Sequence, residues 1–466
     1  MTNFTFDAKE TVLVIGLGKS GLAVTEVLRA RGATVYTTDE KPRPEVLGAI
    51  ESTEAFGARF IPPDELRSVI DTVDSAILSP GVPLTSRVVR AVQQQNIPVL
   101  GEIELAFRLC KAPVIAVTGT KGKSTTTALI GHLLRACGRS VHVGGNIGNP
   151  LIKEVLDLTA QDWVVAEVSS FQLETIRSFK PRVSVILNLA PDHLDRYHSM
   201  DEYAEAKFRI FANQAASDFF VGNLDDARIE ALDLAHGEPR MHARQLWFTL
   251  GERHDNATIY LHGDAIVYAP FSGDPRPVTV LHTPEIPLAG EHNVQNVMAA
   301  LLAAFAVGCE LEPLRRAVAT FRPMPHRLEP VDEIGGVLYV DDSKSTNPGS
   351  VAAALHAYDR PIVLIAGGRS KGTDFAELGV TIRERAKALV VIGEAADEIA
   401  SHAAGVHVER ASSMDDAVAR ARSLAASGDV VLLSPGCASF DMFRSAEDRG
   451  ERFVAAVNAQ REPAGA

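Results

Sequence analysis

Residues Val114–Thr127 read VIAVTGTKGKSTTT. Val114 to Val117 is a β-branched apolar run, the composition of a buried parallel strand. Gly119, Thr120, Lys121, Gly122, Lys123 and Ser124 follow, and a helical pattern then runs from Thr125 to Ala136. Strand, glycine loop, Lys-Ser and helix is an arrangement that binds a nucleotide phosphate chain. The glycines let backbone N–H groups close around phosphate oxygens, and the helix N-terminus adds partial positive charge. Lys123 would reach the β- and γ-phosphates, and the Ser124 hydroxyl would ligate Mg²⁺. The full pattern G-x-x-x-x-G-K-[ST] asks for glycine at position 117, where this chain has Val117. ATP binding still explains the stretch better than a strand-turn-helix with a chance Gly-Lys-Ser.

At 466 residues the chain exceeds what one core serves, so two or three domains are expected. A formal net charge of -13 argues against nucleic acid or an anionic membrane as the main partner. Cys110, Cys137, Cys309 and Cys437 lie far apart without a C-x-x-C, which fits a reducing cytosol and gives no zinc or disulfide signal. The N-terminal MTNFTFDAKE has no basic-then-apolar signal pattern. The longest apolar helical stretch, Val297–Val307, is about half the ~20 residues that span a bilayer. A cytoplasmic protein is expected.

Upstream, the strand 11–15 leads into Gly16-Leu17-Gly18-Lys19-Ser20-Gly21 and a helix to about Ala30, and a second strand, 34–38, ends at Asp39. This is G-x-G-x-x-G followed by an acid, the dinucleotide fingerprint in its strand-turn-helix setting. NAD, a nucleotide-sugar diphosphate and a purely structural turn all remain open on these residues. Strand 75–78 runs into Ser79-Pro80-Gly81-Val82-Pro83, a rigid turn at a strand's carboxyl end, where α/β ligands sit. A helix at 85–95, a strand near Val99 and a connecting helix over 101–111 complete the segment, and the first boundary falls there.

Downstream of the phosphate loop, Asn146 lies in the glycine-rich loop 144–150, and strand 163–166 ends in Glu167. Strand 183–187 leads to Asn188 and the loop Asp192-His193-Leu194-Asp195. An acid at the end of an apolar strand beside a phosphate loop suits Mg²⁺, although a solvated strand end is an equal account of Glu167. His193 by itself reads more simply as a surface loop histidine. In helix 201–213, Tyr203, Ala204, Lys207, Phe208 and Phe211 form one stripe, with a lysine in it. A buried ammonium must be paired, neutralised or modified. A lysine snorkelling from the stripe's edge accounts for the pattern slightly better.

Stretches 257–261, 265–268 and 278–282 alternate as antiparallel strands do, with turns at Gly263-Asp264 and Gly273-Asp274. Asn293 and Asn296 open a long helix and could hydrogen-bond adenine or ribose, or cap the helix. Prolines at 323 and 325 mark a second boundary. Beyond it, strands 337–340, 362–366 and 430–433 each run into a loop carrying Lys, Ser or Thr, donors suited to anionic groups.

Several stretches together resemble the Mur ligase family, ATP-dependent amino-acid ligases of peptidoglycan precursor synthesis. Thr118–Ser124 is similar to that family's shortened phosphate loop, which accounts for the missing glycine. His292–Asn296, His326-Arg327, Asp342-Ser343-Lys344 and Gly367-Gly368 with Lys371 match further blocks in order. Glu167–Leu173 and Ser434-Pro435 through Asp441 most resemble the branch that adds D-glutamate. Phe443-Arg444-Ser445-Ala446 departs from the family's aromatic at the glutamate site, and no aromatic contact is assigned there.

The resemblance implies an α/β chain of three domains, each a mainly parallel sheet covered by helices. These would be a Rossmann-like substrate domain (1–102), a P-loop ATP domain (103–323) and a Rossmann-like amino-acid domain (324–466). It implies ligation of D-glutamate to UDP-N-acetylmuramoyl-L-alanine through an acyl phosphate, by a monomer. ATP would lie on Gly119 to Thr125, Asn293, Asn296, Arg327 and Asp342. Ser124 and Glu167 would hold one Mg²⁺, and His193 with a carbamylated Lys207 a second. Gly18, Lys19, Ser20, Asp39, Ser79, Pro80, Gly81 and Asn146 would bind the uridine substrate, which demotes the NAD reading. Lys344, Thr346, Lys371 and Ser439 would hold the two carboxylates of D-glutamate. Catalysis would fall to Lys123, His193, Lys207 and Lys344. Rival expectations are another ligase of the family, a folate polyglutamate ligase, an NAD oxidoreductase and a non-enzymatic nucleotide switch.

Overall fold

The structure, a computed structural model, describes residues 10–146, 150–192, 196–234, 241–252, 256–270, 276–322, 325–370 and 374–461. The described strands form three sheets, and the contacts divide the chain into two units. One unit takes in the described residues up to Glu285 together with Gln295–Ala319; the other takes in Ile286–Val294 and the described residues from Thr320.

The first sheet contains β1 (Thr11–Ile15), β2 (Thr34–Thr38), β3 (Arg59–Phe60), β4 (Ser75–Leu78) and β5 (Val99–Gly101), in the order β3-β2-β1-β4-β5 and parallel throughout. The order reverses between β1 and β4. The glycine turn after β1 and the Ser-Pro-Gly turn after β4 therefore flank one crevice, where open α/β sheets bind ligands.

The second sheet holds β6 (Val114–Thr118), β7 (Ser140–Gly145), β8 (Asp162–Glu167), β9 (Val183–Ile186), β10 (Phe219–Asn223), β11 (Arg244–Thr249), β12 (Ala257–His262), β13 (Ala265–Tyr268) and β14 (Val278–His282). Its order is β14-β13-β12-β11-β10-β9-β6-β8-β7, parallel except for the β12–β13–β14 meander. That meander lies on the three stretches whose alternation foretells antiparallel strands. β6 has all five residues buried and sits between β9 and β8, the switch point of this sheet. Helix Lys123–Ala136 buries Leu129, Ile130, Leu133 and Leu134 behind it. Its Gly131 admits the sheet closely, since a Cβ there would lie 2.5 Å from Val143 Cγ2. The turn expected at Gly273-Asp274 lies outside the described residues.

The third sheet, in the second unit, contains β15 (Glu329–Ile334), β16 (Val337–Asp341), β17 (Ile362–Gly367), β18 (Ala386–Ile392), β19 (His407–Arg410) and β20 (Val430–Leu433). The order is β15-β16-β20-β17-β18-β19, with the β15 edge antiparallel. That strand, EPVDEI, has no hydrophobic alternation to announce it. Among the described residues no helix is long and apolar enough to cross a membrane.

Candidate active site

The chain leaves β6 through Gly119, at φ 147°, and enters the helix through Gly122, at φ 82°. A Cβ on Gly122 would come within 2.3 Å of Asn296 Oδ1, so glycine is required there by both backbone and space. The helix begins at Lys123, two residues earlier than the pattern suggests. Asn188, just past β9, clamps the loop. Its carbonyl accepts from Thr120 N (2.9 Å), its Oδ1 from Lys121 N (2.8 Å), and its Nδ2 donates to Lys121 O (3.1 Å). Lys123 Nζ donates to the Gly119 and Thr120 carbonyls, both at 2.9 Å, and thereby holds its charge inside the loop. Thr125 is half-buried in the first helical turn, and Asn296 Oδ1 accepts from the buried Thr126 hydroxyl at 3.2 Å. Burial lowers the pKa of Lys121, with the Asp192 charge opposing it.

Ser124 and Glu167 meet in a buried pair, Oγ to Oε2 at 2.6 Å. Asn146 donates from Nδ2 to the other carboxylate oxygen (2.8 Å) and from its backbone N to Glu167 O (2.9 Å). A hydroxyl and a carboxylate fixed side by side, with an amide orienting the carboxylate, form a hard oxygen donor set that fits Mg²⁺.

Lys207 is only 1% exposed, so the snorkelling expectation is corrected. Helix Met200–Phe208 also buries Tyr203, Ala204 and Ala206, which turns the lysine's face inward. Its Nζ donates to Gly119 O at 2.9 Å and lies 4.7 Å from the Tyr203 ring centre. Burial first, and the Lys123 charge second, push its pKa well below the usual lysine value, with Asp192 and Glu167 opposing. As an amine it offers a metal no anion; a carbamate on Nζ would. The helix expected over 201–213 passes into a 3₁₀ turn at Arg209–Phe211. His193, the expected companion of Lys207, lies outside the described residues.

In the first unit a cavity of about 390 Å³ is lined by Gly18, Lys19, Ser20, Asp39, Ser79, Pro80, Gly81 and Asn146, with Gln172 and Pro150. All eight residues expected at the uridine substrate thus share one cavity. Asp39 also braces the glycine turn, accepting from Leu17 N at 2.8 Å and Lys41 N at 2.9 Å. Ser79 Oγ donates to Gly16 O at 2.7 Å and ties the two turns together. A Cβ on Gly21 would sit 1.9 Å from Gly16 O, so the third glycine is set by close packing.

In the second unit the loops leaving β16 and β20 interlock. Asp342 N donates to Leu433 O (2.8 Å), Gly436 N to Ser345 O (2.9 Å), and Ser434 Oγ to Asp342 Oδ2 (2.8 Å). Asp342 also accepts from the Ser345 hydroxyl and from Leu328 N (3.3 Å), and burial raises its pKa to about 6. Its carboxylate is therefore committed to holding loops. Arg327 is half-buried, and the adjoining His326 and Leu328 take positive φ of 63° and 44°, backbone strain gathered beside the lysine loop. Lys344 pairs with Glu447, Thr346 is half-buried, and Ser439 is buried. Asn293 donates to Ala289 O at 2.6 Å in the same unit. Lys371 lies outside the described residues.

Sequence reading gives no part to Asn188, to the Tyr203 hydroxyl (3.2 Å from Thr120 Oγ1) or to the buried Arg449. It also passes over Glu102 and Glu104 in the connecting helix Glu102–Leu109. Glu102 accepts from Ile152 N at 2.8 Å, and burial raises its pKa to about 7. Glu104 accepts from Arg177 N and Phe179 N, each at 2.9 Å. Two acids in a helix whose other residues, Arg108 apart, are apolar were the available signal.

Family profiles match three parts of the chain: Mur ligase MurD-like N-terminal domain over residues 10–101, Mur ligase middle domain over 117–304, and Mur ligase, glutamate ligase domain over 326–437. The chain is 44% identical to a UDP-N-acetylmuramoylalanine–D-glutamate ligase of Pelotomaculum thermopropionicum, over 96% of each chain. It is 41% identical to the protein of that name from Geotalea daltonii, over 96% of this chain and 97% of the other. Its fold is similar to that of a Thermotoga maritima MurF ligase solved with ADP, at TM-score 0.58 and 17% identity, over 92% of this chain and 96% of that one.

Proposed function

The chain belongs to the Mur ligase family, and we propose that it joins D-glutamate to UDP-N-acetylmuramoyl-L-alanine at the expense of ATP. The observation that carries this reading is the pairing, within one unit, of a phosphate loop whose Ser124 meets Glu167 with a diphosphate-type cavity that shares Asn146. A folate substrate would leave that glycine-turn cavity without a ligand, and a hydride-transfer enzyme would leave the Lys-Ser loop without one.

In this reading the backbone of Gly119 to Thr125 holds the ATP phosphates, with Asn293, Asn296 and Arg327 contributing to the rest of the nucleotide. Asp342 supports that contribution by fixing its loops. Lys123 exchanges its two loop carbonyls for phosphate oxygens and neutralises charge on the transferring group. The substrate's alanyl carboxylate takes the γ-phosphoryl group, and the amine of D-glutamate displaces phosphate from the acyl carbon to form the amide. Ser124 and Glu167 would hold one Mg²⁺ and Lys207, as a carbamate, with His193 a second; the ions supply charge neutralisation between two anions that must meet. Addition of CO₂ to the neutral Lys207 amine forms the N–C bond and releases one proton. Lys344, Thr346, Lys371 and Ser439 hold the carboxylates of D-glutamate. The protein works in the cytoplasm as a monomer, with substrate, ATP and amino-acid domains at 1–102, 103–323 and 324–466.

The test is phosphate release from ATP in the presence of UDP-N-acetylmuramoyl-L-alanine, scanned across D- and L-amino acids. Turnover is expected with D-glutamate and no oxidation of NADH. Turnover with a different amino acid, or with a folate in place of the uridine substrate, replaces this function with another.

A further inference from the structure

Lys344 lies in the loop that leaves β16, and its ammonium is in contact with the Glu447 carboxylate. A lysine read as receiving an anionic ligand thus already faces an acid of its own chain. Glu447 stands in the first turn of helix Ala446–Asn458, whose N-cap Ser445 accepts from Asp448 N at 3.2 Å. The positive end of a helix favours an acid there. Lys344 first, and Glu447's own backbone N–H second, lower the Glu447 pKa to about 2. Glu447 is held by the helix start, whereas Lys344 reaches it on a flexible four-carbon stem.

The same helix fixes the main chain of the lysine loop. Arg449, fully buried, donates from Nε to Ser343 Oγ (3.0 Å) and from Nη2 to Ser343 O (2.8 Å). Its Nη1 donates to Cys437 O (3.1 Å) in the loop after β20, and Ser343 Oγ donates to Ala446 O (2.7 Å). One helix start therefore holds both the backbone beside Lys344 and the lysine's head group. An ammonium has three N–H donors, and Glu447 Oε1 leaves others for a ligand.

We propose that Glu447 is a positioning residue for Lys344, holding the ammonium ready for a carboxylate of the incoming amino acid. The proposal rests on the reading that Lys344 binds that substrate. Pre-ordering the lysine removes part of the side-chain entropy lost on binding. With 31% of the Lys344 side chain and 51% of the Glu447 side chain exposed, the pair adds little to stability, so its effect belongs in binding.

The experiment measures KM for each substrate, kcat and melting temperature in Glu447→Gln, Lys344→Ala and the double variant. Glu447→Gln is expected to raise KM for D-glutamate about tenfold, the size of one charged hydrogen bond, with the other two KM values, kcat and melting temperature near wild type. In the Lys344→Ala background it should add nothing. An unchanged or lower KM for D-glutamate, or an effect that adds to that of Lys344→Ala, overturns the proposal. Lys344→Ala acting on KM for ATP instead overturns the underlying amino-acid reading. The double variant then separates the two failures, because a working Glu447 contact still shows non-additivity, now on ATP.

Discussion

Lys207, in the first unit, is 1% exposed and hydrogen-bonds to the Gly119 carbonyl, while Lys344, in the second, is part-exposed and faces the Glu447 carboxylate. The first arrangement disfavours the ammonium and yields an amine that can react or be modified. In the second the pairing with the lysine lowers the acid's pKa. The phosphate region thus includes a buried lysine whose ammonium the fold disfavours. The region assigned to the amino acid uses part-exposed charge, aimed by neighbours. A substrate that arrives from water needs an accessible cation, whereas groups gripping a transferring phosphoryl need a dry, fixed setting.

The largest loss should come from within the dry region. Lys123→Ala removes the cation held by the loop carbonyls and should lower kcat by on the order of 10²–10³ or more, with a folded protein by circular dichroism. Wild-type-like turnover would mean that this lysine is not the phosphate ligand, and the contrast between the regions would lose its basis.

Lys207 sharpens the contrast next. Lys207→Ala should cost about 10² in kcat and recover part of it in acetate or formate, small anions that fit the space left by a carbamate. Lys207→Arg should show no such recovery, because it brings a fixed positive charge to the same buried place. Wild-type activity should also fall in CO₂-depleted buffer and return with bicarbonate. Full activity of Lys207→Arg would make Lys207 an ordinary cation like Lys344.

The same contrast decides how much could be seen beforehand. Strand-end loops are legible because glycines, a Lys-Ser pair and apolar or alternating runs are local signals, and most of the strands that carry those loops follow from them. Eight residues of the first cavity's lining were expected from the family resemblance, and they lie in the segments that follow β1, β2, β4 and β7. Lys207 was only half legible, because a stripe shows where a residue points but not whether its edge meets solvent. Asn188, Arg449 and Glu447 were hidden, since each acts on a loop far away in sequence. Nothing near Glu447 specifies Lys344, 103 residues earlier. β15 was missed because a polar edge strand carries no core-facing pattern.

The smallest expected effect concerns Asp342, which like its neighbour Asp341 is a buried acid of the second unit whose pKa burial raises. Burial raises its pKa to about 6 from 3.8, against the Ser345 and Ser434 hydroxyls that favour the anion. A raised folded pKa means that the native state binds more protons than the unfolded chain between about pH 4 and pH 6. Its contribution to stability therefore declines as pH rises through that window and is flat above it. Between about pH 5 and pH 7 the loss is roughly 1 kcal/mol. Other acids obscure the raw profile: Glu447, held down to about 2, contributes stability that is lost only at far lower pH. The readout is thus the difference between wild type and Asp342→Asn in urea unfolding at the two pH values. Wild type should lose about 1 kcal/mol relative to the variant on going from the lower pH to the higher. Two curves that stay parallel would show that Asp342 is ionised in the folded protein throughout, stabilised by its hydroxyls, and that charge in the second unit is aimed rather than set by burial at this position too.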